Sequence, residues 1–195
     1  RDGHATWTEV AEVYAPDPAP SEVFGTSVAL SGDYAAVGAP EHFHDFSNQG
    51  AVYVFERGVD WAFVSELLPS DAGGNDFFGY SVGIDGTTIV AAAYQDNDNG
   101  SDSGSVYVFD RDANGDWNET QKLIASDGNA NDFYGTAVAI QGDTIVVGAP
   151  FHSGQANDSG AIYVYERDGG GVWNEVTKLV QADGDLNDRL GWDVF

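Results

Sequence analysis

Residues Phe133 to Pro150 read FYGTAVAIQGDTIVVGAP, and nearly the same stretch recurs on either side of them. Phe24 to Pro40 read FGTSVALSGDYAAVGAP, and Phe77 to Tyr94 read FFGYSVGIDGTTIVAAAY. A further copy begins at Leu190 with LGWDVF. Self-similarity at a fixed period indicates a repeat architecture, in which each unit buries its apolar face against the next.

Two residue types measure the period independently. The tryptophans recur at intervals of 54, 56 and 56 residues, and the glycines that follow Phe24, Phe78, Tyr134 and Leu190 recur at the same intervals. We therefore expect both sets to be structural. They are Trp7, Trp61, Trp117 and Trp173, and Gly25, Gly79, Gly135 and Gly191.

Each period predicts four short strands. The first follows the glycine, as in Thr136 to Ile140, and the second is a nearly continuous apolar run, Thr144 to Val147, that we expect to be buried on both faces. The third, Ala51 to Arg57 in the first copy, is rich in β-branched and aromatic residues and predicts a half-buried strand. The fourth is the tryptophan-led segment, whose interleaved polar residues predict an outer strand.

Four-stranded antiparallel units repeated at this spacing predict an all-β fold, a β-propeller built from blades. We expect a single partial propeller over residues 1–195, with repeats at about 24–77, 78–133 and 134–189 and an incomplete fourth from 190. Residues 1–23 would supply an outer strand of a preceding blade. About three and a half blades are then present.

The Phe-Gly pair, the Val-Gly-Ala-Pro end of the second strand and the Gly-Ala-Val-Tyr-Val start of the third resemble FG-GAP repeats. Such repeats form the propeller of integrin α-subunits and of related bacterial and archaeal extracellular proteins. The resemblance implies a seven-bladed ring, an extracellular or cell-surface location, and roles in adhesion and ligand binding. It covers essentially the whole chain.

One departure concerns calcium. Integrin-type repeats that bind calcium carry an Asp-x-Asp-x-Asp-Gly loop between the Phe-Gly strand and the Gly-Ala-Pro strand. Here that connection is a short turn, Ser31 to Asp33, Asp85 to Thr87 or Gln141 to Asp143, too short to surround a cation. The family's calcium site therefore cannot be transferred by position.

The acidic loop Asp96 to Asp102 is a different candidate for Ca²⁺. Alternating carboxylates can converge oxygen atoms on a hard cation, which prefers six to eight oxygen ligands. Asp96, Asp98 and Asp102 are the candidate metal ligands, and Ca²⁺ is the one cofactor expected. The alternative is a solvated loop of Asx turns.

A second acidic cluster precedes the Phe-Gly in each full period, and it includes Asp76, Asp132 and Asp188. Recurrence in all copies favours a structural role. We expect these residues to cap turns or to pair with arginines that recur in register, and a metal ion is the lesser alternative. The arginines are Arg57, Arg111 and Arg167.

Three loops differ while their flanks repeat, which predicts ligand binding by residues 42–48, 95–103 and 151–159. His42 and His152 occupy matching positions, and a zinc site would need a converging third ligand, so surface loops are favoured. The candidate ligand-binding residues are His42, His44, Asp45, Asp96, Asp98, His152 and Asp158.

Composition excludes several classes of function. The 195 residues hold 32 acidic residues against 7 Lys and Arg, a formal charge of -25, which disfavours nucleic acid and anionic membranes. No apolar run reaches the roughly 20 residues of a membrane span, and no cysteine is present. The chain starts at Arg1, which suggests a processed product. Three sequons predict possible glycosylation at Asn99, Asn118 and Asn157.

The sequence contains no nucleophile elbow, zinc-protease motif or phosphate-binding glycine loop, so we expect no enzyme activity in this chain. Two functions remain. The first is a non-catalytic extracellular module for adhesion, ligand binding or surface structure, with an extracellular protein or a glycan as partner. The second is a propeller domain accessory to, or part of, an extracellular enzyme that acts on polysaccharide or lipid.

Propellers close with about four to eight blades, more than this chain supplies. We expect either that the chain is a fragment of a longer protein or that copies associate, because open blade edges invite uncontrolled pairing.

Overall fold

The computed structural model describes residues 8–18, 22–154, 156 and 158–195. Within these ranges the strands form three four-stranded antiparallel sheets, each with its strands in sequence order. The described residues hold no helix that could cross a membrane. Blade 1 comprises β1 (Ser27–Ser31), β2 (Tyr34–Ala39), β3 (Ala51–Arg57) and β4 (Trp61–Leu67); blade 2 comprises β5 (Phe78–Asp85), β6 (Thr88–Ala93), β7 (Ser105–Arg111) and β8 (Trp117–Leu123); blade 3 comprises β9 (Ala137–Gln141), β10 (Thr144–Ala149), β11 (Ala161–Arg167) and β12 (Trp173–Leu179).

The all-β fold and its four-stranded blades are confirmed, and three blades lie side by side. The inner strands β1, β5 and β9 are neighbours, and backbone-to-side-chain hydrogen bonds join them. Ser27 Oγ donates to the carbonyl of Gly79 at 2.8 Å, and Val138 N donates to Ser81 Oγ at 3.1 Å. A ring of seven blades stays a prediction.

The second strand is buried as its continuous apolarity predicts in blades 1 and 2, where all six residues of β6 and the last five of β2 are buried. In β10 four of the six residues are buried, and Thr144 and Val146 are partly exposed. The prediction of a half-buried third strand is wrong for β3 and β7, because the first five residues of each are buried. Both of their faces are covered, β7 by the adjacent blades and β3 also by Val13 and Ala15. Burial alternates along β11 instead.

Glycines allow the blades to approach closely at the inner strands. A Cβ added to Gly38 would overlap the carbonyl oxygen of Gly79, and one added to Gly148 would overlap that of Gly191. The Gly-Ala-Pro glycine of one blade therefore lies against the Phe-Gly glycine of the next. No side chain fits between them, which explains why both motifs recur together.

The tryptophans of the outer strands pack between blades. Trp117 meets the ring of Tyr34 in blade 1 edge to face at 5.7 Å, and the backbone of Trp173 exchanges two hydrogen bonds with the Gln121 amide in blade 2. Both tryptophans are buried. Trp61 is only half-buried, and Trp7 lies outside the described residues.

The chain ends follow the repeat in part. Leu190 forms a parallel bridge with Gly160, as Phe78 does with Gly50, so the fourth copy begins as the others do. Residues 8–18, expected to contribute to an outer strand of a preceding blade, carry no strand. The connections that follow the second and fourth strands emerge at one edge of the blades, which we call the loop face.

Candidate functional site

A buried tyrosine organises an equivalent polar cluster at the loop face of every blade. The hydroxyls of Tyr53, Tyr107 and Tyr163 donate to an aspartate in the segment before their blade, at 3.0, 2.8 and 2.8 Å. Burial, followed by these acidic neighbours, raises the pKa of each tyrosine. The clusters are cluster 1 (Asp17, Glu22, His42, Tyr53, Glu66), cluster 2 (Asp71, Asp76, Asp96, Asp98, Tyr107, Lys122) and cluster 3 (Asp127, Asp132, His152, Tyr163, Lys178).

Cluster 2 contains two of the three predicted calcium ligands, and they surround a lysine. Lys122 Nζ lies 2.8 Å from Asp96 Oδ2 and 2.6 Å from Asp98 Oδ2, and it lies 2.7 Å from Asp71 Oδ2. Asp102 does not join them, and its carboxylate accepts a hydrogen bond from Ser101 at 3.1 Å. Calcium at this loop stays a prediction, and the ion would have to displace the ammonium group.

The charges of cluster 2 stabilise one another. Burial alone would lower the pKa of Lys122, but its hydrogen bonds to the three carboxylates raise it well above the usual range. Burial likewise opposes ionisation of Asp71, yet hydrogen bonds from Lys122 and Tyr107 hold its pKa below the ordinary value. The cluster therefore holds a permanent ammonium at neutral pH.

Asp76 has the opposite behaviour within the same cluster. Burial, with the charge of Asp96 adding to it, raises the pKa of Asp76 to about 6, although the amide of Gly73 donates a hydrogen bond to its carboxylate at 2.7 Å. Asp132 and Asp188 accept equivalent bonds from Asn129 and Asp185 at 2.8 and 2.7 Å. These aspartates thus cap turns, which is one of the two roles expected for them.

The in-register arginines contact other groups. Arg167 Nη2 lies 3.0 Å from Asp110 Oδ2 of blade 2, and the guanidinium of Arg111 stacks over the Tyr34 ring of blade 1 at 5.1 Å. Arg57 pairs loosely with Asp33 in its own blade at 3.6 Å. Pairing of the arginines with the turn-capping aspartates is wrong, because those carboxylates lie at the loop face and the arginines at the opposite ends of their strands.

Cluster 3 also holds a lysine. Lys178 Nζ forms an ion pair with Asp127 and lies 3.3 Å from His152 Nε2. His152 Nδ1 lies 2.9 Å from Asp132 Oδ2. Burial would raise the pKa of Asp127, but hydrogen bonds from Lys178 and Tyr163 lower it below its ordinary value. An ammonium group and acidic side chains therefore occur together here too.

Cluster 1 differs, because Glu66 stands where the lysines stand. His42 Nδ1 lies 2.9 Å from Glu22 Oε1 and 3.2 Å from the Tyr53 hydroxyl, and His42 Nε2 faces Glu66 Oε1 at 3.3 Å. Asp17 Oδ2 lies 3.9 Å from the same Nε2 atom. Burial raises the pKa of Glu66, and its Oε1 atom accepts no hydrogen bond from the described residues.

The interpretation of His42 and His152 as surface-loop residues is wrong. Their exposed fractions are 3% and 4%, because each imidazole fills the space between a blade tyrosine and the segment before the blade. His44 is exposed and lies 3.2 Å from Asp45. The sequence signal that separates His42 from His44 is the period: His42 is matched by His152 in blade 3 and by Asp96 in blade 2, whereas Gly154 stands at the position of His44 in blade 3.

The variable loops are tied to the following blade. The carbonyls of Asn48, Asp102 and Asp158 accept hydrogen bonds from the amides of Phe77, Phe133 and Arg189, at 3.0, 3.2 and 3.1 Å. These three acceptor residues share a positive φ of 50–55°. The backbone carbonyls of these three residues therefore have a structural role. Asn99 and Asn118 are exposed, whereas Asn157 lies outside the described residues, and glycosylation stays a prediction.

A row of aromatic rings, which sequence reasoning missed, crosses the loop face from blade 2 past blade 3 to the start of the fourth copy. Successive ring centroids are 4.2, 5.9, 5.1 and 5.9 Å apart, and the rings border a cleft of about 240 Å³ with Gln95 and Thr136. Arg189 stacks over the ring of Phe151 at 4.8 Å. We call these residues the aromatic row: Tyr80, Tyr94, Phe133, Phe151 and Trp192.

A signal for the aromatic row was present in the sequence. Tyr94 replaces the proline of the Gly-Ala-Pro motif in the second copy, and Trp192 stands where the first and third copies carry threonine. Departures from the repeat at adjacent blades mark the row.

Comparisons with known proteins agree with this architecture. A family model described as the FG-GAP repeat matches residues 7–55, 61–109 and 117–165. Each match begins at a tryptophan and ends in the third strand of a blade, β3, β7 or β11. The comparison with curated proteins gives no match.

Solved structures share the fold alone. Sqt1 of Saccharomyces cerevisiae aligns with a TM-score of 0.52 and 11% identity, covering 85% of this chain and 38% of its own. A protein from Lactobacillus plantarum aligns with a TM-score of 0.52 and 17% identity, covering 80% of this chain and 42% of its own. This chain therefore spans about two fifths of the length of these two proteins.

Proposed function

This chain belongs to the FG-GAP repeat family, and from that membership we propose that it is a non-catalytic, extracellular module for adhesion or ligand binding. Its binding surface would be the loop face. The observation that carries the proposal is the aromatic row, which places several half-buried rings beside a cleft between two blades.

The chemistry of the aromatic row suits a glycan. Half-buried rings offer flat apolar area at little cost in conformational entropy, and the C–H faces of sugar rings are complementary to such surfaces. Trp192 is 53% exposed and Arg189, stacked against it at 5.5 Å, adds donors for hydroxyl or carboxylate groups. A glycan is the ligand class we favour over an extracellular protein.

Binding to a glycan array, followed by affinity electrophoresis in gels containing the best polysaccharides, tests this proposal. Trp192→Ala should weaken binding by about 30-fold, the loss of a central interface aromatic. Phe63→Ala, an exposed aromatic on β4, is the matched control and should leave binding unchanged. Absence of glycan binding, or equal binding by both variants, would contradict the proposal.

A screen of glycan and ester substrates tests whether the module is non-catalytic. We expect no turnover. Hydrolysis by the purified chain would overturn that part of the proposal and favour an extracellular enzyme that acts on polysaccharide or lipid.

A surface-structure role is a second candidate, favoured by the flank of blade 1. Val28 and Leu30 on β1 are 59% and 66% exposed, and they border an apolar groove of about 280 Å³ with Phe55 and Trp61. We propose that another blade, from a second copy or from a longer chain, covers this flank. A monodisperse monomer of 20.7 kDa in light scattering would contradict self-association.

A further inference from the structure

The charge at one outer-strand position distinguishes cluster 1 from its two counterparts. Glu66 pairs across the sheet with Tyr53, as Lys122 pairs with Tyr107 and Lys178 with Tyr163. These two lysines are the only lysines in the chain. In clusters 2 and 3 an ammonium group therefore lies at this place, whereas in cluster 1 a carboxylate lies there and Asp17 and Glu22 add two more.

The orientation of His42 follows from its partners. Glu22 is a carboxylate that can only accept, so the imidazole donates from Nδ1 across the 2.9 Å contact. In the neutral ring Nε2 then carries a lone pair and no hydrogen. It faces two carboxylate oxygens, those of Glu66 at 3.3 Å and Asp17 at 3.9 Å. His42 is 3% exposed, so its ring is shielded from solvent. Three electron-rich atoms converge on one point.

We propose that Asp17, His42 and Glu66 bind a divalent transition-metal ion of the zinc type. Their ligand atoms all lie within 4.8 Å of one another. Ligand atoms at 2.0–2.2 Å from a tetrahedral ion are about 3.3–3.6 Å apart. The three ligand atoms would therefore need to move only slightly closer together to bind the ion. The buried Oε1 of Glu66, which accepts no hydrogen bond from the described residues, gains a partner when the ion binds.

The ligand set selects against calcium and magnesium. Those ions prefer all-oxygen coordination, whereas an imidazole with two carboxylates suits zinc, cobalt or nickel. The hydrogen bond from His42 Nδ1 to Glu22 is the outer contact that fixes the ring of a metal-binding histidine. Asp17 is 53% exposed, which leaves a path for the ion and room for a water as fourth ligand.

The site has a counterpart in the rest of the molecule. In cluster 3, Lys178 Nζ lies 3.3 Å from His152 Nε2 and pairs with Asp127, so an ammonium group occupies the place that the metal ion takes in cluster 1. In both blades the cation joins the preceding segment to the outer strand. The metal ion would therefore fix the segment around Asp17 to blade 1.

Calorimetric titration of the purified chain with Zn²⁺, and with Co²⁺ followed by its visible absorption, tests the proposal. We expect one saturable site. Glu66→Lys, which gives cluster 1 the residue found in blades 2 and 3 and so preserves the fold, should weaken Zn²⁺ binding by more than about 100-fold. Glu22→Gln should weaken it by about 10–100-fold, the effect of losing an outer-shell partner.

Two further variants separate the site from nonspecific binding to an acidic surface. Glu166→Lys changes the net charge as Glu66→Lys does but lies on the exposed side of β11, and its affinity should stay within about twofold of the original. Lys178→Glu should create a second site from Asp127 and His152, and so raise the Zn²⁺ stoichiometry to two. Circular dichroism and urea unfolding check that each variant is folded.

Two results would contradict the proposal. Absence of saturable Zn²⁺ binding, or equal affinity for the original chain and folded Glu66→Lys, would overturn the proposal. Saturation by Ca²⁺ at the same residues, detected as loss of binding in Glu66→Lys, would overturn the choice of metal class.

Discussion

Blade 1 and blade 2 repeat the same four strands in the same register, yet they differ in what surrounds them. Trp117 of blade 2 is buried against blade 1, whereas Trp61 of blade 1 is only half-buried. Lys122 lies between three carboxylates, and its counterpart Glu66 adds a carboxylate to a cluster that has no lysine. The repeat thus sets the backbone and the buried tyrosine of each blade. The residue at one outer-strand position sets the charge of the polar cluster, and the adjacent blade determines how far the tryptophan is buried.

The largest effect on stability should come from the contact between Trp117 of blade 2 and blade 1. Trp117→Ala removes a ring that packs against Tyr34 and should lower the free energy of unfolding by about 4 kcal/mol, the usual cost of truncating a buried aromatic. Trp61→Ala, the same change at an open flank, should cost about 1 kcal/mol. Urea denaturation followed by far-ultraviolet circular dichroism measures both. Equal losses would contradict the comparison.

The next effect concerns the buried ammonium group. Lys122→Met keeps much of the side-chain volume but leaves Asp71, Asp96 and Asp98 without their cation. We expect a loss of about 3 kcal/mol at pH 7, the low end for breaking a buried ion pair, because two of these carboxylates are partly solvated.

Two comparisons sharpen the result for Lys122. Lys178→Met should cost less, because Lys178 pairs with the half-exposed carboxylate of Asp127, whereas Lys122 pairs with three carboxylates, of which Asp96 is only 10% exposed. Lys122→Arg keeps a positive charge at this position and should cost less than Lys122→Met; equal losses in the two variants would show that packing and not charge compensation accounts for the effect of Lys122→Met.

The smallest effect concerns Asp76, whose pKa is raised to about 6 by burial. Because burial raises its pKa above that of the unfolded chain, the folded state keeps a proton that the unfolded state has released. Stability from this group is therefore present below about pH 4 and is lost as pH rises to about 6, by about 2 kcal/mol. Asp76→Asn should remove this loss, as measured by urea unfolding at pH 4, 5, 6 and 7.

The control for Asp76 is Asp60→Asn, which removes one negative charge from an exposed turn. Its stability should follow the pH dependence of the original chain. If both variants flatten the profile equally, the effect comes from the net charge of the molecule and not from the buried carboxyl.

Much of the fold could be predicted because its signals are local. The period, the apolar second strand and the Phe-Gly and Gly-Ala-Pro glycines each report a requirement of one strand or one close approach. The polar clusters could not be predicted in the same way. Tyr107, Asp71 and Lys122 are far apart in the sequence, and their convergence depends on sheet register and on the path of the chain between blades.

The histidines show the same difference between local signals and contacts made by distant residues. His42 looked like an exposed loop residue because the residues around it are polar, but its burial depends on Tyr53 and on the segment that contains Asp17 and Glu22. The candidate calcium loop also looked like a metal site in isolation. Only packing brings Lys122 from the outer strand into it.

The sequence alone determined that this chain is built from FG-GAP blades, because hydrophobic periodicity and small residues at close contacts are written within each repeat. The tertiary structure decided which charges meet: an ammonium group in blades 2 and 3, and an imidazole among carboxylates in blade 1. The physical reason is that burial and electrostatics depend on distances between residues that the chain brings together only when the strands are paired.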